Sequence, residues 1–271
     1  MTRLAKQIII AIIFFLILAG FGFLVYWNIL PNPSCFDNIQ NQNEEGIDCG
    51  GPCQSCEAAA LKNLEIIWVK SLYVKDNFYD LAARIKNPNQ NYGSGRIVYY
   101  FKFYDLDDNL IGQEKGTAYI LPNQLKYLIA PKIESRKTIK KIEILFEPIE
   151  WQKLKEYQAP QLAVSQKEYS LSESGQPAKS QVSGLVINKT AFDFDQIDID
   201  VLLFNQAGEI IGLNTTRVNT LLAGQERSFI VAWFEPIKEP VVSIEAEPET
   251  NLFDSDNYMK RYGTLEKFKE Y

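Results

Sequence analysis

The sequence predicts a mainly β protein in which two tandem antiparallel β-sandwiches follow one transmembrane helix and a small disulfide-rich segment. Three observations predict this fold class. Residues 8–27 form an uncharged apolar run, all four cysteines of the 271-residue chain lie between residues 35 and 56, and beyond Leu61 the hydrophobic residues recur with a period of two. The alternating pattern occurs twice along the chain, which indicates an internal duplication.

The first element is a membrane-spanning helix within residues 1–30. Residues 8–27 read IIIAIIFFLILAGFGFLVYW, and a helix of this length spans roughly 30 Å of hydrocarbon at about 1.5 Å per residue. The alternative is a cleaved signal peptide, which has a shorter apolar core of about 7 to 15 residues and a small-residue cleavage site. We therefore expect an uncleaved anchor, whose membrane contacts are represented by Ile8, Phe14, Phe15 and Trp27.

The flanking charges predict the orientation of this anchor. Arg3 and Lys6 precede the apolar run, whereas residues 28–43 contain no lysine or arginine. Positive charge is retained on the cytoplasmic side of a membrane. We expect a single-pass protein of the cell membrane with a cytoplasmic N-terminus and the bulk of the chain outside the cytoplasm.

The second element, residues 31–60, contains the cysteines. Outside the cytoplasm thiols are oxidised, and an even number of cysteines in a short polar segment indicates disulfides, here two bridges whose three pairings the sequence leaves open. In a cytosolic protein the terminal CxxC would instead suggest zinc. The disulfide cysteines are Cys35, Cys49, Cys53 and Cys56.

Oxygen-bearing side chains lie between these cysteines and suggest a calcium ion. Calcium takes six to eight oxygen ligands, and a loop closed by disulfides would hold such ligands close together. The alternative is a solvated polar loop without a cofactor, whose glycines permit tight turns. The candidate calcium ligands are Asp37, Asn41, Glu44 and Asp48.

Residues 35–56 resemble a small cysteine-rich motif of prokaryotic surface and secreted proteins, C-x-D-x-x-x-N-x-x-E-x-G-x-D-C-G-G-x-C-x-x-C. The resemblance implies an extracytoplasmic location and a suspected metal-binding role, and it implies no activity. Besides the four cysteines, the matching positions are Asp37, Asn41, Glu44, Gly46, Asp48, Gly50 and Gly51.

The remaining chain predicts two copies of one β unit, in residues 61–153 and 160–250, followed by a tail in residues 251–271. Ile97, Tyr99, Phe101 and Phe103 alternate along one strand, and Ile197, Ile199, Val201 and Leu203 repeat that pattern one hundred positions later. At the same offset we expect Ile142 to correspond to Val242, and Ile144 to Ile244. Short strands at such spacing favour a sandwich, and each copy has the size of an immunoglobulin-like domain.

Both copies resemble the FxLYD domain, an immunoglobulin-like sandwich of prokaryotic extracytoplasmic proteins. The first copy reads FKFYD at residues 101–105, with Phe103 in place of the motif leucine, and the second reads VLLFN at residues 201–205. The resemblance implies a β-sandwich and carries no known catalytic residues.

Composition limits the functions that this chain can perform. A net charge of −6 gives no basic surplus for nucleic acid, and the absence of histidine removes the commonest general base and zinc ligand. The aromatic residues of 99–104 are expected in the core rather than in a glycan-stacking platform. Asp193, Asp195, Asp198 and Asp200 are expected to form an exposed acidic stripe.

These features predict a non-catalytic binding, adhesion or scaffold protein whose partner is a protein or a surface polymer, with no nucleic-acid partner. The alternative is an accessory subunit of a secretion, pilus or transport assembly, in which the apolar helix packs against other helices. An enzyme that processes polysaccharide or peptide is the third and least favoured class.

Overall fold

The structure, a computed structural model, describes residues 3–29, 34–41, 43–154 and 157–260. The chain divides into two compact units, Met1–Leu61 and Lys62–Tyr271. The second unit contains all the named strands, so the described chain is mainly β with one N-terminal apolar helix.

The first unit contains helix α1, Arg3–Ile29, and the short helix α2, Cys56–Ala59. Within α1, Lys6–Tyr26 has a mean hydropathy of 3.1 and is long enough to cross a membrane. A helix that is apolar on all sides is typical of a membrane span, and a signal sequence has the same character. Helix α2 begins at Ser55, whose Oγ accepts a hydrogen bond from the Ala58 backbone N–H.

The first sandwich consists of two antiparallel sheets. Their orders are β1-β2-β5 and β4-β3-β6, and the short strand β7 pairs with the beginning of β3. The strands are β1 Glu65–Lys75, β2 Phe78–Lys86, β3 Tyr92–Tyr104, β4 Leu110–Ile120, β5 Leu125–Glu134, β6 Lys141–Phe146 and β7 Gln152–Lys153.

The second sandwich repeats this topology, with sheets β8-β9-β12 and β11-β10-β13. A 3₁₀ turn at Ser255–Asn257 leads into a last strand that pairs with the beginning of β10, as β7 does with β3. This part of the predicted tail is therefore sheet, while residues 261–271 lie outside the described residues. The strands are β8 Leu162–Leu171, β9 Ser180–Asn188, β10 Phe192–Phe204, β11 Ile210–Leu221, β12 Glu226–Trp233, β13 Ser243–Glu249 and β14 Tyr258–Lys260.

The alternating residues form the two cores as predicted. Tyr99, Phe101 and Phe103 of β3 are buried in the first core, and Ile199 and Val201 of β10 are buried in the second. Successive side chains of a strand point to opposite faces, so the intervening residues lie on the outer face of each sheet.

Strand register confirms the offset of one hundred in the third strands and corrects it in the sixth. Phe103 pairs with Ile142, and its counterpart Leu203 pairs with Ile244. Ile142 therefore corresponds to Ile244, not to Val242, and Ile144 corresponds to Ala246. The segment before β13 is longer than the segment before β6. Corresponding residues of these two strands, such as Ile142 and Ile244, are therefore 102 positions apart (244 − 142).

A buried asparagine performs the same task in both copies. The Nδ2 of Asn87 donates to the carbonyls of Tyr92 and Leu121, and that of Asn188 donates to the carbonyls of Phe192 and Leu221. Both side chains are fully buried. A buried amide requires such partners, so each asparagine holds the end of its sandwich together.

Candidate functional site

The four cysteines of the first unit form two disulfides. Cys35 pairs with Cys53, and Cys49 pairs with Cys56. The bridges close loops with sequence separations of 18 and 7 residues, and such closure restricts the unfolded chain. Two disulfides were predicted, whereas their pairing follows only from the structure.

The predicted calcium ligands lie in the loop closed by the longer bridge, where their carboxylates accept backbone hydrogen bonds. Asp48 Oδ1 accepts from the N–H groups of Asp37 and Asn38 at 3.0 and 3.1 Å. Glu44 Oε2 accepts from the N–H groups of Asn41 and Asp48, both at 3.2 Å. These contacts hold the turns of the loop in place.

Asp37 and Asn41 are joined within the same loop. Asn41 Nδ2 donates to Asp37 Oδ2 at 2.9 Å, and this bond, together with one from the Ser34 N–H, lowers the pKa of Asp37. Asn41 Oδ1 is buried and has no hydrogen-bond donor among the described residues. This buried oxygen is therefore a ligand atom of the predicted set that has no protein partner among the described residues.

A second grouping of metal-ligand residue types lies beside it. The sulfurs of Cys35 and Cys53 and a carboxylate oxygen of Glu44 lie within 4.8 Å of one another. The two sulfurs are joined in a disulfide, so neither is the thiolate that binds a metal. This cluster does not fit a zinc or other thiolate-held ion.

The residues chosen for the membrane anchor lie on α1. Ile8, Phe14 and Phe15 expose 52%, 63% and 73% of their surface. Exposed apolar side chains on a helix need a lipid or protein surface to cover them. The side chain of Trp27 lies outside the described residues.

The aromatic strand β3 divides its side chains between two faces. Tyr99, Phe101 and Phe103 are buried in the core, as predicted, whereas Tyr100 and Tyr104 lie half-exposed on the outer face. The Tyr104 hydroxyl donates to Glu143 Oε2 at 3.0 Å, and this hydrogen bond raises the pKa of Tyr104. The outer face thus presents two tyrosines whose hydroxyls are already oriented.

The two sandwiches pack against each other through outer sheet faces. Ala82 and Tyr127 of the first sandwich and Leu202 and Leu213 of the second form a separate buried cluster. Arg84 lies at its edge, with its Nη2 3.3 Å from Glu247 and 3.5 Å from Glu245. The guanidinium also stacks 4.8 Å from the centre of the Tyr127 ring.

Buried charges accompany this apolar cluster. Lys126 and Glu249 form an ion pair in which both side chains are almost fully buried. Burial lowers the pKa of Lys126 to about 8, while the Asp200 and Asp198 carboxylates oppose that shift. Burial also raises the pKa of Asp200 to about 6 and that of Glu247 to about 7.

The predicted exposed acidic stripe is therefore wrong in part. Asp198 and Asp200 do lie on the outer face of β10, but the first sandwich covers Asp200 because this face is an interface. A signal for this was present in the sequence, since Leu202 and Phe204 continue the same outward phase and would otherwise expose apolar surface.

A groove of about 520 Å³ runs beside β1, β6 and β11 in the second unit. Its wide opening and mixed lining differ from the enclosed apolar pockets that hold small molecules. The charged residues on its walls are Lys70, Lys140, Lys141, Glu209 and Glu239.

Comparison with known proteins identifies no family for this chain. No protein-family model matches it, and no curated protein matches it. One solved structure to which it is similar is a variant of the oxalate decarboxylase of Bacillus subtilis, with 8% identity over 73% of this chain and 75% of that chain and a TM-score of 0.11. So low a TM-score carries no argument about fold or activity.

Proposed function

We propose that this protein is held in a membrane by its N-terminal helix and presents its disulfide segment and sandwiches outside the cytoplasm, where they bind a protein or a surface polymer without catalysis. The observation that carries the proposal is an apolar helix followed by a segment whose four cysteines are all oxidised. Disulfides persist in oxidising compartments. The immunoglobulin-like, FxLYD-like identity of the sandwiches belongs to this proposal and rests on the residue patterns quoted above.

The outer sheet faces support a binding role. Tyr100 and Tyr104 on β3 offer half-exposed rings, and Leu145 on the neighbouring strand is 45% exposed. Tyrosine supplies a large contact area at a low cost in conformational entropy, which suits recognition. A rigid sheet that presents such side chains is a typical binding surface.

The location is tested with the full chain carrying one epitope tag at each end. Protease added to intact cells is expected to remove the C-terminal tag and leave the N-terminal tag on a fragment of the size of the anchor. Protection of both tags would contradict an extracytoplasmic location. Loss of the N-terminal tag during maturation would contradict anchoring, because it indicates a cleaved signal.

The binding role is tested by crosslinking the intact protein in its native membrane and identifying the products by mass spectrometry. We expect crosslinks from the outer faces of the sandwiches to a protein or polymer. Turnover of envelope polymers by the purified protein, abolished by substitution of its carboxylates, would contradict the proposal. Exchange of residues 8–27 for an unrelated anchor separates the alternatives, because binding by the sandwiches survives it and helix-mediated assembly in a membrane machine does not.

Calcium binding in the disulfide loop stays a prediction, supported by the free Asn41 Oδ1. Titration of the EDTA-treated full chain with CaCl₂ in a calorimeter checks it. The loop site predicts one bound ion that is lost in Asp37→Asn, whose carboxylate lies beside Asn41, and retained in Asp107→Asn in the β3–β4 hairpin. Absence of binding heat would remove calcium from the account.

A further inference from the structure

The disulfide segment, residues 35–56, exposes three large apolar side chains, which together are called the apolar patch. Its residues Phe36, Ile39 and Ile47 are 90%, 54% and 61% exposed. A single exposed apolar residue is ordinary on a protein surface, whereas three within one short segment are not. The two disulfides hold the segment together without a core made of these side chains, so the patch is free to contact another surface.

The segment directs carboxylates to its own backbone instead. Glu44 is 7% exposed, and its Oε2 accepts hydrogen bonds from the backbone N–H groups of Asn41 and Asp48. The Asp37 carboxylate accepts from the Ile39 backbone N–H and from Asn41 Nδ2, both at 2.9 Å. Carboxylates therefore satisfy backbone donors while the apolar patch faces outward, which is the reverse of the distribution that water favours.

The turns of the segment bring the residues of the apolar patch into one region. Asp48 Oδ1 accepts hydrogen bonds from the backbone N–H groups of Asp37 and Asn38, at 3.0 and 3.1 Å. Each residue of the patch is adjacent in sequence to one of these three residues. The Asp48 carboxylate therefore holds the backbone of the whole patch in the same part of the segment.

The chain keeps the apolar patch close to the end of α1. Lys6–Tyr26 is long enough to span the hydrocarbon of a membrane, so the last turn of α1, which ends at Ile29, reaches the headgroup layer. Seven residues lead from Ile29 to Phe36 (36 − 29), and seven extended residues span at most about 25 Å. When α1 crosses a membrane, the patch is within reach of the surface of that membrane.

Charge indicates what kind of lipid contact the segment can make. Residues 28–61 contain no lysine or arginine, and the side chains of Glu45 and Glu57 are exposed. Segments that bind by attraction to anionic lipid carry clustered lysine or arginine. Insertion of apolar side chains does not need such charges, so a zwitterionic lipid surface suffices.

We propose that Phe36, Ile39 and Ile47 insert into the headgroup boundary of the membrane that holds α1, and that the disulfide segment lies on this lipid surface. Apolar side chains of surface-bound segments are buried at this boundary. The inference deepens the proposed function by naming a second contact with the same membrane, and it rests on the anchoring of α1.

The test places the full chain in phosphatidylcholine vesicles that contain a photoreactive phosphatidylcholine, with its diazirine close to the headgroup. After irradiation, mass spectrometry locates the labelled residues. The wild type is expected to carry lipid adducts on α1 and on residues 34–56. The combined variant Phe36→Ser, Ile39→Ser and Ile47→Ser should lose about fivefold or more of the label on residues 34–56 and keep the label on α1.

Two controls separate insertion from folding. Leucine at the same three positions keeps the apolar surface, so this variant should keep the label on residues 34–56. Leu171→Ser alters a 77% exposed leucine of the second unit and should leave all labelling unchanged. The serine variant should retain both disulfides, which its intact mass after thiol blocking checks, because the exchanged side chains are exposed.

The outcomes distinguish this inference from the proposed function. Adducts on α1 without adducts on residues 34–56, or equal labelling of the wild type and the serine variant, would overturn the inference and leave the anchor standing. A wild type without adducts on α1 would overturn the anchoring and the inference with it. Crosslinks from residues 34–56 to a protein in the native membrane, without lipid adducts, would assign the patch to a protein and overturn the inference.

Discussion

The residues that decide how the sandwiches combine are charged and buried. Lys126 and Glu249 come from different sandwiches, and each exposes less than a tenth of its side chain. A buried ion pair contributes little compared with an apolar pair of the same shape, but a single buried charge is costly. We therefore expect the Lys126–Glu249 pair to favour this arrangement of the two sandwiches over others.

Removal of one partner tests this interpretation. Lys126→Met leaves Glu249 without its cation and next to the carboxylates of Asp200 and Asp198, so we expect a loss of about 3 to 5 kcal/mol in the free energy of unfolding. The measurement is denaturant unfolding of the full chain. Lys115→Met, at the exposed pair with Glu147, is the control and should cost less than about 1 kcal/mol. Equal effects would contradict the account.

The same interface predicts how stability depends on pH. Burial raises the pKa of Asp200 from 3.8 to about 6 and that of Glu247 from 4.5 to about 7. Between the unfolded and the folded pKa of each group, the folded chain binds more protons than the unfolded chain. The free energy of unfolding therefore falls as the pH rises through about 6 to 7, and it is larger at pH 5 than at pH 7. The chain has no histidine, and Lys126 stays protonated over this range.

We therefore expect the full chain to unfold at a higher denaturant concentration at pH 5 than at pH 7. Substitution of both carboxyls, Asp200→Asn with Glu247→Gln, should reduce this difference. Asp105, whose pKa is lowered to about 2 by Lys137, acts only at more acidic pH, so Asp105→Asn should leave the difference unchanged. A wild type that is more stable at pH 7 would contradict the assignment.

At the scale of the strands, the two copies fill the same cross-strand position in the core with different pairs of residues. Ala83 lies opposite Leu128 in the first copy, and Gly184 lies opposite Phe229 in the second. A Cβ added at Gly184 would lie 2.7 Å from the Phe229 ring. The size of the residue at position 184 is therefore limited by the aromatic ring of Phe229.

Gly184→Ala is expected to cost about 1 to 3 kcal/mol through overpacking. The double variant Gly184→Ala with Phe229→Leu reproduces the pair of the first copy and should recover part of that loss. Thermal or chemical unfolding of the full chain gives the three free energies. A double variant that loses the sum of the single losses would show that the two positions are independent.

Sequence patterns predicted which residues form strands far better than which residues correspond between the two copies or meet across the interface. Alternation placed Phe101 and Val201 in the cores because period two reports which side of a strand is buried. Alternation does not show how long a connecting segment is, and the segment before β13 is longer than the one before β6. Ile142 was therefore matched to Val242 instead of Ile244. It also could not detect that Lys126 of the first sandwich pairs with Glu249 of the second, since a contact between sandwiches leaves no local period in the sequence.

In the disulfide segment, too, residue types were predicted to have roles that the sequence alone could not place in space. Cysteine number and the preceding apolar run predicted two bridges, but pairing depends on how turns bring sulfurs together. The sequence predicted that the carboxylates of Asp37, Glu44 and Asp48 could be metal ligands. In the structure these carboxylates accept hydrogen bonds from backbone N–H groups, which depends on turn geometry that residue types alone do not determine.

At the scale of the whole molecule, the protein combines an apolar N-terminal helix, a segment with two disulfides and a pair of sandwiches. In the proposed function the helix provides attachment to a membrane. The disulfides stabilise a segment with little apolar core, and the interface joins the sandwiches in one compact unit. The membrane location and the oxidation state depend on each other, because an anchored chain exposes its cysteines to an oxidising compartment only in one orientation.

The most direct test of this account is the intact mass of the protein purified from the native membrane fraction, with free thiols blocked during lysis. We expect a chain that retains the apolar helix, is lighter by about 4 Da than its fully reduced form because two disulfides remove four hydrogens, and carries no blocked thiol. A mass that lacks the apolar helix, or one that carries four blocked thiols, would contradict it.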